Sequence, residues 1–324
     1  MAKIDPDAQW KGHTVRAVDG TYVTLPLSKS VLSKFPLRKT GEHFPKARLT
    51  CAVNVITGQP GYLDVGNIHS SERDQLEKLV YKFGDGDILL LDRGFRSSKL
   101  WEKIHRKKQY FINRITIYDG ANDLAHKLLK SNKNDIAVDY KGLNIRLVRG
   151  VKRKKKAPVV LATNLLDAKK YTRKSLLKLY MRRWEVETNY KKLKQNLRLK
   201  NFHAQTYNGV MQELLACSLL LSLVQGLMWL SRPEKAQYRI NFNAAMESVW
   251  QNMQLFISGH KNIDDTLRAL QKLLREIRCM LVKERPGRSF PRVSYQAENK
   301  WIKIRRKRNH VQKDHWKWSD QYRH

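Results

Sequence analysis

An α/β fold with one mixed sheet and helices on both of its faces is predicted by three observations. Ile88-Leu89-Leu90-Leu91 is a continuous apolar run, as in a strand buried on both faces. Stretches with β alternation precede it over 15–25 and 48–56, and another follows over 110–115. Segments with helical periodicity lie between and after these, at 71–83, at 97–106 and from 172 onward.

Taken in order, Val15 to Asp19 reads as a short strand closed by Asp19-Gly20, a hairpin signal, with Thr21 to Leu25 returning beside it. Residues 26–46 are basic and loop-like, with Pro26, Pro36 and Pro45. Arg48 to Ile56 alternates, placing Leu49, Cys51, Val53 and Val55 on one face. Leu76, Leu79, Val80 and Phe83 give 71–83 one apolar side. Gly84-Asp85-Gly86-Asp87 is a turn, and Asp92 follows the apolar strand at its carboxyl end. Ser97 to Arg106 reads as helix and Tyr110 to Ile115 as strand. Ile136 to Tyr140, Leu143 to Gly150 and Pro158 to Thr163 read as β, with Lys152 to Lys156 in the turn between the last two. A long helix runs from Thr172 to about Leu197, an apolar one from Leu214 to Leu230, and more helix over 240–283. From Arg285 the chain is basic, Trp-containing and weakly periodic.

Three strands, helix, strand, helix, strand, β-rich insertion, helix is the order of a ribonuclease-H-like fold. The division that follows is a short N-terminal segment (1–13), a catalytic core (14–230, insertion about 116–165) and a helical, then basic, C-terminal region (231–324).

The 324 residues carry 64 Lys and Arg against 29 Asp and Glu, a net charge of +35. Such a surface repels itself without a polyanionic partner, and nucleic acid is the natural one. No basic amphipathic segment stands alone at a terminus, which speaks against a membrane surface. The apolar run 214–230 includes Ser218, Ser222, Gln225 and Gly226 and reads as a buried helix. Cys51, Cys217 and Cys279 form no Cys-x-x-Cys pair, so neither a zinc site nor a disulfide framework is indicated. The N-terminal stretch lacks the apolar core of a signal peptide, and a cytoplasmic, nucleoid-associated place is expected. There is neither a phosphate-binding Gly-x-x-x-x-Gly-Lys loop nor a His-Glu-x-x-His pair.

Three acids stand where such a fold collects its chemistry. Asp19 ends the first strand, Asp92 ends the fourth, and Glu187 lies on the helix after the fifth. The first and fourth strands of this fold are neighbours, and ligand sites in α/β sheets gather at carboxyl ends of strands. Hard carboxylate oxygens suit two Mg²⁺ ions, or Mn²⁺ in their place. Two such ions about 3.5–4 Å apart activate a water or hydroxyl and stabilise the leaving oxygen of a phosphodiester. The three carboxylates are therefore expected to lie within about 4–7 Å of one another. Each acid also has a plainer reading, Asp19 as a turn residue and Asp92 as a cap for the loop after it.

The helix from 172 carries a polar ridge. At about 100° per residue, Tyr180, Arg183, Glu187 and Lys194 fall at about 0°, −60°, −20° and −40°, one narrow stripe over about 21 Å. Lys191 and Arg198 extend it. Leu179, Val186, Tyr190, Leu193 and Leu197 form an adjoining apolar stripe, so Glu187 sits at the edge of a core. Glu185 projects to the opposite side, toward solvent. A hydroxyl, a guanidinium and ammonium groups flanking a carboxylate suit a phosphate backbone brought to a metal site, although an amphipathic helix with a solvated basic face explains this segment alone equally well.

The spacing of Tyr180, Arg183, Glu187 and Lys194, with Trp184 after the arginine, resembles the Tyr-Arg-Glu-Lys signature of the insertion-sequence-four family of DDE transposases. Val18-Asp19-Gly20-Thr21 and Leu91-Asp92-Arg93-Gly94-Phe95 are similar to that family's first two acidic motifs. Thr163-Asn164-Leu165 and Gly287-Arg288-Ser289-Phe290-Pro291-Arg292 are similar to further blocks, so the resemblance spans about residues 14–305. It implies that Asp19, Asp92 and Glu187 bind the metals, that Tyr180, Arg183 and Lys194 orient DNA phosphates, and that the substrates are transposon ends and target DNA. A homodimer in the DNA complex is compatible with it. Members usually carry a substantial N-terminal region that helps bind transposon ends, whereas about 13 residues precede Val15. Some relatives stack a flipped base on a Trp of the insertion. Residues 116–170 contain none, leaving Tyr118 or Tyr140 for that place. Lys152 to Lys156, and Trp301, Trp316 and Trp318 among lysines and arginines, are further candidates for DNA contact.

Two other readings use the same residues. A non-catalytic DNA-binding remnant would keep the charge without needing the acids, and a structure-specific nuclease of the same fold would keep the acids without preferring defined ends. An RNA-binding protein relying on charge alone would require neither.

Overall fold

The computed structural model describes residues 5–37, 43–116, 123–150, 158–197, 201–235, 237–257 and 262–284. The Lys152 to Lys156 run, Arg198, Tyr118, the block from Gly287 to Arg292 and the three C-terminal tryptophans lie outside those residues.

Strand β1 (Val15–Thr24) runs straight through Asp19-Gly20, so the hairpin expected there does not form. The whole strand is paired antiparallel with β2 (Lys46–Asn54), from Arg16↔Asn54 to Thr24↔Lys46. A continuous ladder outweighs the local turn preference of Asp-Gly. A short helix α1 (Lys29–Leu32) lies between them. Strand β3 (Pro60–Gly66) has no counterpart in the sequence reading. Its Pro60 and two glycines argue against a strand, yet it lies at the sheet edge, where a leading proline is tolerated. Helix α2 (Glu72–Leu79), capped by the Ser71 hydroxyl, leads to β4 (Ile88–Leu91). Helix α3 (Ser98–Arg106) and strand β5 (Tyr110–Ile115) follow as expected. Helix α4 (Asp123–Lys130) is an addition to the sequence reading.

The insertion does not build a sheet of its own. Strands β6 (Asp135–Tyr140), β7 (Leu143–Arg149) and β8 (Val160–Thr163) continue the first five, giving eight strands in the order β3-β2-β1-β4-β5-β8-β7-β6. Among the described strands the neighbours paired in parallel are β1 with β4 and β4 with β5; the other neighbouring pairs are antiparallel. The Thr163-Asn164-Leu165 block clasps β8 to β5: Asn164 Oδ1 accepts the Phe111 N–H at 2.9 Å, and its Nδ2 donates to the Gln109 carbonyl at 3.0 Å. This is the ribonuclease-H-like mixed α/β sheet, flanked by helices.

The sheet is apolar on both faces. Ile88 and Leu90 of β4 face one core with Ala17, Leu49 and Val53, while Leu89 and Leu91 face the other with Val18, Leu76 and Trp101. Helices α2, α3 and α4 cover the second face. The first is covered by α5 (Arg173–Met181), α6 (Glu185–Lys191) and part of α7 (Tyr207–Leu230). Helices α8 (Phe242–Ile257) and α9 (Ile263–Cys279) pack on the end of α7. A two-stranded antiparallel pair of β9 (Tyr238–Ile240) and β10 (Leu281–Lys283) brackets them, where helix alone was expected.

Two helical expectations need correction. Helix α7 is longer than the run 214–230, is long and apolar enough to cross a membrane by length and composition, and has 28% of its apolar stretch buried. Val210, Leu214, Leu221, Val224 and Leu227 pack inward, whereas Leu215, Leu219, Leu223 and Leu230 are exposed. The long helix from 172 is not uniform either. A 3₁₀ turn at Arg182–Trp184 separates α5 from α6, and a π-helical turn at Lys192–Asn196 ends α6. The first winds faster than an α-helix and the second slower, so their effects on the polar ridge run in opposite senses.

Candidate active site

The register of β1 against β4 sets the site. Their pairing ends at Val18↔Leu91, and the next residue of each is an acid, Asp19 and Asp92. The two aspartates are thus adjacent at the carboxyl end of β4, while β1 itself runs on past Asp19. By the period of two, Asp19 lies on the face of Ala17 and Val23, under α6, and Gly20 faces α2.

Asp19 is anchored from several directions. Its Oδ1 accepts the Gly20 N–H at 2.9 Å, and its Oδ2 lies 3.6 Å from Nη1 of Arg183. The Tyr190 hydroxyl donates to its carbonyl at 2.6 Å and accepts the Cys51 N–H at 2.9 Å, pinning β1 and β2 to α6. Burial pushes the Asp19 carboxyl up to about 6; the Gly20 N–H and Arg183 oppose the rise, and the charges of Glu72 and Glu187 add to it.

Asp92 precedes a 3₁₀ turn, Arg93–Phe95, and its side chain does not cap it. The plainer reading of this residue therefore fails. Its carbonyl is held by Nδ2 of Asn113 at 2.7 Å, and Oδ1 of Asn113 accepts the indole N–H of Trp101 at 2.9 Å. Its own Oδ1 is buried without a hydrogen-bond partner among the described residues. A buried carboxylate oxygen left unsatisfied is costly, and a divalent cation satisfies it.

Glu187 lies in the first turn of α6 and accepts from Nη2 of Arg183 at 2.8 Å, one helical turn away. Arg183 is 7% exposed. Burial disfavours its charge, yet Glu187, Asp92 and Asp19 more than offset this, and its proton is held more tightly than usual. The three acids therefore surround Arg183 rather than enclosing one point between them. No three acids, histidines or cysteines among the described residues stand close enough to enclose an ion as they are. The expected gathering of three bare carboxylates gives way to a guanidinium among them, because like charges separate unless a cation lies between. The donor set still fits Mg²⁺ or Mn²⁺: hard oxygens on two strand ends and a helix, one of them buried and unsatisfied.

The rest of the ridge is less open than its wheel suggests. Tyr180 is buried, its hydroxyl donates to the Leu91 carbonyl at 3.3 Å, and burial holds its proton well above the usual phenol range. Lys194 is half-buried, with Nζ 2.5 Å from the Thr21 hydroxyl. Lys191 is exposed at the end of α6, beyond the buried part of the ridge. Glu185 is half-buried, where a solvent-facing side chain was expected, and its charge supports that of the partly buried Lys192. Tyr140 is half-buried and packs on the edge of the core against Trp101 of α3, at 6.0 Å between ring centres.

Three residues here escaped the sequence reading. Asn113 is an amide at a buried position of β5, between apolar Ile112 and exposed Arg114, a signal that such a group has a specific partner. The Tyr190 hydroxyl was hidden because the residue also fits the apolar stripe. Glu72, in the first turn of α2, gave no sign of its closeness to β1.

The family model of the transposase DDE domain matches residues 10–223. Over 322 residues the chain is 25% identical to the transposase InsG for insertion sequence element IS4 of Escherichia coli (strain K12), covering 89% of this chain and 69% of that one. Among solved structures, the piggyBac transposase synaptic complex with hairpin DNA is similar with a TM-score of 0.47 and 11% identity, over 85% of this chain and 59% of that one. The chain belongs to the transposase DDE domain family, within its insertion-sequence-four branch.

Proposed function

We propose that this protein cuts DNA strands at the ends of a transposable element and joins the freed 3′-hydroxyl to target DNA. The observation that carries this reading is the juxtaposition of Asp19 and Asp92 just past the last β1–β4 pair, with Glu187 tied to Asp19 through Arg183. In this reading Asp19, Asp92 and Glu187 hold two divalent ions. When bound, such ions lower the pKa of an attacking water or hydroxyl and offset charge on the leaving oxygen.

The chain's own groups do the positioning. Asn113 fixes the backbone at Asp92, and Tyr190 fixes it at Asp19, so both carboxylates start from rigid strands. Arg183 balances the acids while no phosphate is present. An arriving phosphodiester competes for the same guanidinium, which prefers a bidentate anionic partner. Tyr180 and Lys194 flank that path, and Lys191 offers a charge to the backbone further along. Transposon ends and target DNA are the substrates proposed, with two copies acting on paired ends.

The test is a nicking assay on duplexes carrying the element's terminal inverted repeats. Wild-type protein with Mg²⁺ should nick at the repeat boundary, and the Asp92→Asn variant should bind the duplex without nicking it. Nicking with no preference for the repeats would instead indicate a structure-specific nuclease. Binding with no nicking by the wild type, in Mg²⁺ or Mn²⁺, would indicate a DNA-binding remnant.

A further inference from the structure

Glu72 stands on the opposite side of Gly20 from the Asp19 carboxylate. On one side, Asp19 Oδ1 accepts the Gly20 N–H at 2.9 Å. On the other, the Glu72 side chain packs so closely that a Cβ on Gly20 would lie 2.4 Å from its Oε1. The close approach accounts for a glycine in the middle of a paired strand. The β1–β4 ladder has already ended at Val18↔Leu91, so Glu72 approaches β1 where that pairing has stopped. Its carboxylate is aimed rather than loose. Nη1 of Arg48 holds Oε1 at 2.7 Å, and that guanidinium lies 4.4 Å from the Tyr22 ring, its cross-strand neighbour.

We propose that Glu72 is a fourth carboxylate of this site, a positioning residue whose charge strengthens the hold of Asp19 and Asp92 on divalent cations. The inference rests on the metal-dependent reading above and adds a residue that reading does not include. A cation near Asp19 feels the Glu72 charge through the narrow backbone of Gly20, where no side chain intervenes. Arg48 keeps the carboxylate in place and leaves its other oxygen without a part in that ion pair. A purely structural role is the alternative. An acid in the first turn of a helix is favourable there, and it satisfies Arg48.

The two roles separate in a Mn²⁺ titration followed by electron paramagnetic resonance, on the full chain without DNA. Glu72→Gln keeps the shape and a hydrogen-bond acceptor for Arg48 but removes the charge. Its Mn²⁺ affinity should fall about 5–10-fold, the effect of one charge on a divalent ion at short range in a well-hydrated site. Its melting temperature in chelator should match the wild type. Gly20→Ala displaces the Glu72 carboxylate without removing it and should weaken Mn²⁺ binding as well. The double variant Gly20→Ala with Glu72→Gln should bind no more weakly than the more affected single variant. Wild-type Mn²⁺ affinity in Glu72→Gln, or in Gly20→Ala if the first variant does not fold, overturns the proposal. Asp92→Asn separates the two levels: if it lowers Mn²⁺ binding and Glu72→Gln does not, only the role of Glu72 falls. If the wild type binds no Mn²⁺ that Asp92→Asn removes, the metal-dependent reading falls with it.

Discussion

The two ends of strand β4 carry aspartates in opposite circumstances. At the entry, Asp87 accepts from Nε of Arg16 at 2.7 Å and from the Gly84 N–H at 3.2 Å, while the Arg16 guanidinium also packs near the rings of Tyr62 and Phe83. At the exit, Asp92 keeps a buried oxygen with no partner among the described residues, and its half-buried neighbour Asp19 has its carboxyl pushed up to about 6. The same residue type is used to lock the sheet at one end and left under-compensated at the other. The fold is able to pair a buried charge, as it also does for buried Arg146 with half-buried Asp135. In the proposed function, a divalent cation would satisfy the Asp92 oxygen and offset the Asp19 charge.

The sharpest break between the two ends is expected in catalysis. Asp92→Asn or Glu187→Gln should reduce strand cleavage by about 10³-fold or more, the scale of losing a metal ligand, with DNA affinity nearly unchanged. Asp87→Asn should leave the rate per folded molecule as it is. Cleavage kinetics alongside filter binding check both. Equal losses at the two ends would erase the distinction.

Stability should respond in reverse. Asp87→Asn leaves Arg16 half-buried without its charge partner, and a loss of about 2–4 kcal/mol is expected by urea unfolding. Asp19→Asn should stabilise the protein in chelator at pH 7.5, by roughly 1–3 kcal/mol. The sign follows from linkage. A carboxyl raised from 3.8 to about 6 favours the folded state below pH 4, and that advantage is lost as pH rises to about 6. Above that, ionised Asp19 is a burden that the amide lacks. The gain should vanish by about pH 4, and a gain that persists there would place its origin elsewhere.

The smallest effect should come from the exposed end of the ridge. If about 6–10 phosphates are neutralised, affinity should fall about 10³–10⁵-fold between 50 and 200 mM salt. Lys191→Ala should lower the slope by about one contact without a selective loss of cleavage. A flat titration would exclude the basic surface as the DNA-binding face.

Much of this was readable in the chain. Ile88 to Leu91 announced a strand buried on both faces, and the acids after it and in the first strand fell side by side as the strand order requires. What stayed hidden was long-range. Asp19-Gly20 resembles a hairpin until β2 is known to pair across it and Glu72 is known to need the glycine. Strand β3 is written in proline and glycine because edge pairing, not propensity, holds it. The wheel placed Arg183 near Glu187, an ordinary spacing for an ion pair, but the closeness of Asp19 and Asp92 to that guanidinium depends on the sheet. The exposed leucines of α7 were read as core because an apolar run does not say which of its faces is covered.

The most direct test is anomalous diffraction from crystals of the protein grown with Mn²⁺. Anomalous density bounded by Asp19, Asp92 and Glu187, with Arg183 withdrawn from Glu187, is the expected result. Crystals in which Arg183 still bridges Asp19 and Glu187 at saturating Mn²⁺, with the anomalous density elsewhere, would contradict the account.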